Sequence, residues 1–565
     1  MMTSLKKSEM RNWKKIGILL LYVAGIIILL LLITAIYMVQ LLKIPDPKIT
    51  NRDILEQQRI ESSKGFYTLN KNWLRKSKSG LYELYVEGNP FEMGVINGKL
   101  TQELVIRQED HFSGQINKMV PSSFNRQYLK YFIAWFNRNL DKNISEEYRK
   151  EIFGISVFAS EKYKYLGSNY QRILNYHAAH DIGHALQNLA LVGCTSFGTW
   201  GERSADSTMI IGRNFDFYLG DKFAEDKIVA FYNPQNGYKF MTVTWGGFIG
   251  AVSGMNKEGL SVTINAAKSD YPLGSATPVS LVAREILQYA KNINEAVAIA
   301  QKRNMFVSES ILIASAKDNK AVIIEKTPDT LDVFDPNNKF IVCTNHFQGQ
   351  LLAGTKKNKE QINESASSYR YERLMQLLNA NGKNTVEKTI NILRDRKGLN
   401  NAEIGEGNEK AINQLIAHHS IVFEPQKGIV WVSTSPWQLG QFVAYDLNKI
   451  FSMDGMKQDV EISEASLTIP ADTFLLTTAY SNFEKFRKFK QCILNGEVIN
   501  PDSMVAVNPN FYQTYILAGD YLYERKEHKN ALYFYKLALT KVIATLKEEE
   551  YIMKQIKKSK EKLGQ

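Results

Sequence analysis

Apolar positions along the chain change character four times. From 16 to 39 they run without a charged residue, and at about 1.5 Å rise per residue such a helix exceeds the roughly 30 Å hydrocarbon core of a bilayer. After a short linker at 45–48, the stretch 51–190 reads as mostly helical, with strand-like pieces such as 81–86. From Cys194 onward come short runs rich in β-branched and aromatic residues, at 209–217, 228–232, 240–245, 260–265, 310–314, 321–325, 340–344, 420–423 and 428–432. Turn chemistry separates them: Pro234-Gln235-Asn236-Gly237, Asn256-Lys257-Glu258-Gly259 and Pro425-Gln426-Lys427-Gly428. Helical patterns at 278–290 and 369–379 interrupt the strands. This predicts a large, mainly antiparallel sheet system with helices packed on its outer faces, a layered α+β fold. The last segment, 509–563, is helical again. Its Gly519, Leu522, Ala531, Tyr535 and Ala538 fall close to tetratricopeptide spacing, followed by a Lys/Glu-rich helix. A lone repeat buries little surface, so a hairpin docked on the catalytic body and a module for a protein partner both stay open.

Composition narrows the class. Of the 565 residues 44% are hydrophobic and 11% aromatic, enough to build a large core and to exclude disorder. The net charge of +12 suits solubility or anionic lipid headgroups; nucleic acid is not expected as a partner. Lys6, Lys7, Arg11, Lys14 and Lys15 precede the apolar run against one acid, Glu9, which keeps the N-terminus cytoplasmic and sends the rest across the membrane. The run is longer than the core of a cleaved signal peptide, and no small-residue cleavage site follows it before Lys43. The expectation is a single-pass protein with its catalytic domain outside the cytoplasm, periplasmic in a double-membrane bacterium. Its parts are a basic tail 1–15, an anchor 16–39, a pro-segment 40–193, a catalytic domain 194–480 and a helical tail 481–565.

Three cysteines, Cys194, Cys343 and Cys492, are too few for a disulfide scaffold or a four-cysteine zinc site. A cysteine attacks as thiolate and needs a base and an orienting group nearby. No histidine stands near Cys194 in sequence. Were the 193–194 peptide bond cut, however, the freed α-amine, with a reference pKa of about 7.7 to 8.0, could take the thiol proton. Glycine at 193 leaves the preceding carbonyl sterically open to that sulfur.

Gly193-Cys194-Thr195-Ser196-Phe197, Gly212-Arg213-Asn214-Phe215-Asp216, the stretch from Gly254-Met255-Asn256 to Asn265, and Thr344-Asn345-His346-Phe347 resemble, in order, the motifs of cysteine N-terminal-nucleophile (Ntn) hydrolases. The nearest branch is similar to the self-processing acyl-CoA:6-aminopenicillanate acyltransferase family, relatives of choloylglycine hydrolase. The upstream Gly88-Asn89-Pro90-Phe91-Glu92-Met93-Gly94 and Gly98-Lys99-Leu100 resemble that branch's pro-segment. The resemblance implies a four-layer αββα sandwich and self-cleavage between Gly193 and Cys194. It also implies turnover of a small acylated amide or thioester through a Cys194 acyl-enzyme, without metal or organic cofactor. Arg213 would lower the thiol pKa, Asp216 would accept from the α-ammonium, Asn265 would donate to the oxyanion and Asn345 would orient the amine. Arg370 matches the family's late arginine, with Arg373 close by in sequence. Hydrolysis is favoured over acyl transfer, since nothing in the chain marks a coenzyme A or acceptor-amine pocket. Two other readings stand beside this one. His177, His180 and His184, with Asp181, share one helical face and could serve a metal-dependent hydrolase. A non-enzymatic membrane scaffold would instead rely on the C-terminal helices.

Overall fold

A computed structural model describes residues 2–41, 43–179, 181, 193–268 and 274–565. Its first helix, Met2–Leu41, contains the apolar span Trp13–Met38, 26 residues of mean hydropathy 3.2 with none of it buried, long and apolar enough to cross a membrane.

Two sheets follow. The larger has eleven strands in the order β1 (Ile60–Ser63), β2 (Phe66–Leu69), β3 (Asn72–Lys76), β4 (Tyr82–Gly88), β7 (Ile228–Pro234), β8 (Phe240–Thr244), β9 (Ser253–Asn256), β10 (Leu260–Ala266), β11 (Glu309–Ser315), β12 (Lys320–Lys326) and β13 (Leu331–Phe334). All pairs are antiparallel except β4 with β7. The smaller has six strands in the order β14 (Phe340–Cys343), β5 (Thr195–Thr199), β6 (Ile210–Phe215), β15 (His419–Glu424), β16 (Ile429–Ser433) and β17 (Phe442–Asp446). The strands predicted from 209 onward are all present, within one or two residues of the expected bounds. The region 51–190 is mostly helical among its described residues, as expected, and β4 matches the strand-like piece at 81–86; the additions in its first third are β1 to β3. They escape pattern reading for a physical reason: β1 is exposed at every position and β3 is buried on both faces except at its last residue, so neither alternates. Tight turns set their pairing instead, with Gly65 at φ 76° and Asn70 at φ 55°.

The burial pattern stacks the elements into layers. Trp73, Tyr85, Phe231 and Leu312 of the large sheet meet Ile211, Ile421, Val432 and Tyr445 of the small one in the core between the sheets. The outer face of the large sheet packs on helices Pro90–Leu100, Glu146–Ser156, Asn169–His177 and Val279–Tyr289, through residues such as Ile96, Ile152, Ile173 and Leu287. The outer face of the small sheet packs on Ser367–Ala380 and Val386–Leu393, through Leu374, Leu378, Ile390 and Leu393.

The 88–94 motif has a structural role. Asn89 and Glu92 form a capping box at the start of helix Pro90–Leu100, with Pro90 in its first turn. Gly94 lets that helix touch Glu146–Ser156, since a Cβ there would sit 2.0 Å from the Glu151 carbonyl oxygen. At the other end of the chain, helices Tyr512–Glu524, His528–Ala538 and Leu546–Lys562 share an apolar core with Leu415, Trp437 and Leu439. Asn508 clamps the 406 backbone from both sides (Glu406 N to Oδ1 3.1 Å, Nδ2 to Glu406 O 2.9 Å), so the tail is docked on the body.

Candidate active site

The site forms where the start of β5, the end of β6 and the ends of β10 and β14 converge between the two sheets. β6 is central and alternates strictly. Gly212 and Asn214 face the helix layer, where Asn214 Nδ2 donates to the carbonyls of Leu393 and Ile412 at 2.9 and 3.0 Å. Arg213 faces the opposite sheet. Its guanidinium is wholly buried and donates to the Val252 carbonyl (3.1 Å), to Ser253 Oγ and to the Ile264 carbonyl, and its Nη2 lies 3.6 Å from Cys194 Sγ. Phe215 stacks beneath it, 4.3 Å from ring centre to guanidinium carbon.

Cys194 lies just before β5, fully buried in the uncut chain. Arg213 draws its thiol pKa down as the sequence predicts, but desolvation outweighs that pull and the thiol is pushed up to about 11. Asp216, at the end of β6, accepts the Gly193 N–H on its backbone carbonyl at 3.0 Å. Burial pushes its carboxyl up to about 7, against the pull of Arg370 and Arg213. Its Oδ1 is buried with no hydrogen-bond partner among the described residues.

Arg370, from helix Ser367–Ala380, reaches the same spot. Its Nη1 donates to the Cys194 carbonyl and to Thr195 Oγ1, both at 2.7 Å, and its Nη2 donates to Asn345 Oδ1 at 2.7 Å. Arg373 points elsewhere, into a bidentate pair with Asp395 (2.8 and 2.9 Å). Asn345 is held by its own Nδ2 on the Ala266 carbonyl (2.8 Å). Asn265 accepts from Ser196 Oγ (2.8 Å) and donates from Nδ2 to the carbonyls of Cys343 and Thr344 (3.0 and 3.1 Å). Its amide hydrogens are thus occupied in the uncut chain rather than aimed at an empty oxyanion position.

Other participants carry no motif in the sequence. Gln414 Nε2 donates to the Gly193 carbonyl at 2.8 Å and lies 3.5 Å from Asp216 Oδ2. Behind Arg213, Ser253 Oγ lies 2.9 Å from His419 Nε2, and His419 Nδ1 lies 2.9 Å from His418 Nδ1. Burial holds both histidines well below their usual pKa, so the pair is neutral and adds no positive charge beside Arg213. Their closeness to the site comes from β15 pairing with β6, which sets His419 opposite Phe215.

The histidine helix behaves differently. His177 Nδ1 lies 2.8 Å from the Ile173 carbonyl and its Nε2 accepts from Ile249 N at 3.0 Å, so neither ring nitrogen is available to a metal. Burial lowers its pKa to about 4. Asp181 accepts from Val279 N at 2.9 Å. His180 and His184 lie outside the described residues. Among the described residues no group of three or more His, Cys, Asp or Glu could hold a metal.

Just past Asp216, Phe217 enters the wall of a small apolar cleft of about 30 Å³, lined also by Phe112, Ile173, Tyr176, Trp245 and Phe248.

Residues 203–435 match the sequence model of the acyl-coenzyme A:6-aminopenicillanic acid acyl-transferase family. An uncharacterized protein of Archaeoglobus fulgidus is 24% identical over 45% of this chain and 45% of its own length. Protein dcd1B of Dictyostelium discoideum is 22% identical over 46% of this chain and 52% of its own. The chain therefore spans about half the length of the curated relatives it matches. Among solved structures, a Caenorhabditis elegans N-acylethanolamine-hydrolyzing acid amidase ortholog aligns with 20% identity and a TM-score of 0.30, over 41% of this chain and 93% of that one. A variant of the conjugated bile acid hydrolase of Clostridium perfringens aligns with 16% identity and a TM-score of 0.31, over 45% and 93%. The family match spans 203–435 of the 565 residues, and over that part the chain is similar to the acyl-coenzyme A:6-aminopenicillanic acid acyl-transferase family.

Proposed function

We propose that this chain is a membrane-anchored, self-processing enzyme that cleaves an acyl amide or thioester through Cys194, with water as the usual acceptor. One observation carries the reading: the Gly193–Cys194 peptide bond is buried among two guanidinium groups and a carboxylate whose Oδ1 meets no donor among the described residues. A new α-ammonium at Cys194 is the group that such an oxygen suits.

In processing, Cys194 Sγ attacks the Gly193 carbonyl carbon. The peptide C–N bond breaks, the thiol proton ends on the departing nitrogen and a thioester links the two residues. Water then splits the thioester, which leaves a carboxylate on Gly193 and regenerates the thiol. Opening the chain relieves the burial that holds this thiol near 11, and the new amine supplies the base that the uncut site lacks. In turnover the amine takes the thiol proton, sulfur forms a bond to the substrate acyl carbon, and the amine returns the proton to the leaving nitrogen or sulfur. Water then releases the acid. Arg213 supports the thiolate, Asp216 holds the ammonium, and Arg370 and Asn345 fix the backbone and side chains around it. Asn265 serves the oxyanion once an amide hydrogen exchanges from the Cys343 or Thr344 carbonyl.

The basic residues before the apolar helix put its N-terminus in the cytoplasm and the catalytic body outside. Electrophoresis and N-terminal sequencing of purified protein test the processing step: a fragment starting at Cys194 is expected, and Cys194→Ala should lack it. An active wild type whose residues 193 and 194 remain joined sinks the mechanism. An acyl-chain panel of N-acyl amides and thioesters, with mass spectrometry of the trapped adduct, identifies the substrate.

A further inference from the structure

Self-cleavage develops negative charge on the Gly193 carbonyl oxygen, so that atom needs a donor before any substrate is present. The obvious candidates around the peptide are already committed. Asn265 donates to the carbonyls of Cys343 and Thr344, Arg213 to those of Val252 and Ile264, and Arg370 to that of Cys194. Among the described residues the side chain that donates to the Gly193 oxygen is Gln414, at 2.8 Å.

We infer that Gln414 is the catalytic oxyanion donor of the self-cleavage step, acting on the chain's own Gly193 carbonyl. The inference rests on the processing reading above. A carbonyl oxygen can only accept, so the amide nitrogen must face it. Gln414 is itself buried, 4% exposed, and its backbone is fixed in the loop ahead of β15, where Leu415 N donates to Asn413 Oδ1 at 2.9 Å. The same contact explains the glycine: a Cβ at 193 would lie 2.6 Å from Gln414 Nε2 and push the amide off the oxygen. The two carbonyls flanking the sulfur are thus held by different side chains, Gly193 by Gln414 and Cys194 by Arg370. As sulfur adds to the Gly193 carbon, the C=O electron pair moves onto the oxygen and Gln414 N–H stabilises it. When the pair returns, the C–N bond breaks and the thiol proton ends on the nitrogen, leaving the thioester.

The test follows the rate at which freshly made full-length chain in detergent yields the fragment beginning at Cys194, for wild type, Gln414→Leu and Gln414→Glu. Gln414→Leu, which keeps the bulk and loses the donor, should slow cleavage about 10²-fold. Gln414→Glu should be as slow at pH 8, where a carboxylate cannot donate, and should regain rate relative to wild type at pH 5.5, where the protonated acid can. That recovery would not arise from a merely structural role, and it keeps the test decisive if Gln414→Leu folds poorly. A Gln414→Leu rate within about threefold of a cleaving wild type overturns the inference, as does a Gln414→Glu to wild-type ratio that does not change with pH. A wild type that never cleaves overturns the processing reading, and this inference with it.

Discussion

Two buried thiols lie on neighbouring strands of the same sheet, and their surroundings differ in nearly every respect. Cys194 precedes β5 and Cys343 ends β14, with Cys343 paired in register to Ser196. Both are wholly buried and burial raises both pKa values. Cys343 lies in the apolar core between the sheets, and its sulfur contacts the Thr344 carbonyl at 3.8 Å. Cys194 faces a guanidinium at 3.6 Å, and its own carbonyl is held by a second. Exposure therefore does not separate the proposed nucleophile from the other buried cysteine. The surrounding cations do, together with a peptide bond whose cleavage would release an amine and relieve the burial.

The contrast can be broken at either thiol. Cys194→Ala should abolish both self-cleavage and turnover, a loss of about 10⁶-fold in kcat as for other nucleophile deletions, read by electrophoresis and acid release. Residual turnover that instead tracks Cys343 would reverse the assignment.

Asp216 sharpens the comparison through pH. In the uncut chain its folded pKa of about 7 exceeds the ordinary 3.8. Below pH 4 both folded and unfolded states are protonated and Asp216 adds no difference. As pH rises from about 4 to about 7 the unfolded chain ionises first, so stability falls, and above 7 the penalty is complete. Uncut Cys194→Ala should therefore unfold at lower denaturant at pH 8 than at pH 5, and adding Asp216→Asn should recover up to about 3 kcal/mol of that difference. Glu83 and Glu325 are raised in the same range, so the comparison with and without Asp216→Asn isolates its share. No change on adding Asp216→Asn would remove Asp216 from the account.

Arg213→Met, which keeps the length and removes the cation, should lower kcat/KM by about 10² and move the pH profile of thiol alkylation upward in the processed enzyme. An unmoved profile would mean that Arg213 only braces Ser253. The smallest effect belongs to Cys343→Ala, expected to cost about 1 kcal/mol in denaturation and to leave cleavage at 193–194 intact.

How much of this was legible in the chain varies by residue. Arg213 and Asp216 share one short strand end with Cys194's neighbours, and Asn265 and Asn345 stand at strand ends, so motif order pointed to all of them. The structure brings Arg213, Asp216, Arg370 and, through Arg370, Asn345 to residues 193 and 194, holds Asn265 on Ser196 and the Cys343 and Thr344 carbonyls, and separates Arg370 from Arg373, whose guanidinium goes to Asp395. Strands β1 to β3 were hidden because one is solvent-exposed and another is buried on both faces, which removes alternation. The 88–94 motif was read for its family resemblance, and it also caps and packs a helix.

Determined by the sequence alone were the antiparallel strands from 209 onward and the apolar span. Alternation, turn chemistry and uninterrupted apolar length are properties of adjacent residues. Only the tertiary structure decided that Gln414 meets Gly193 across a separation of 221 positions and that His419 meets Ser253 across 166. It also decided that burial, rather than the nearby arginine, sets the direction of the Cys194 pKa in the uncut chain. Contacts at such distances depend on how two sheets close over one another, and desolvation depends on everything packed around a group, so neither leaves a local trace in the order of residues.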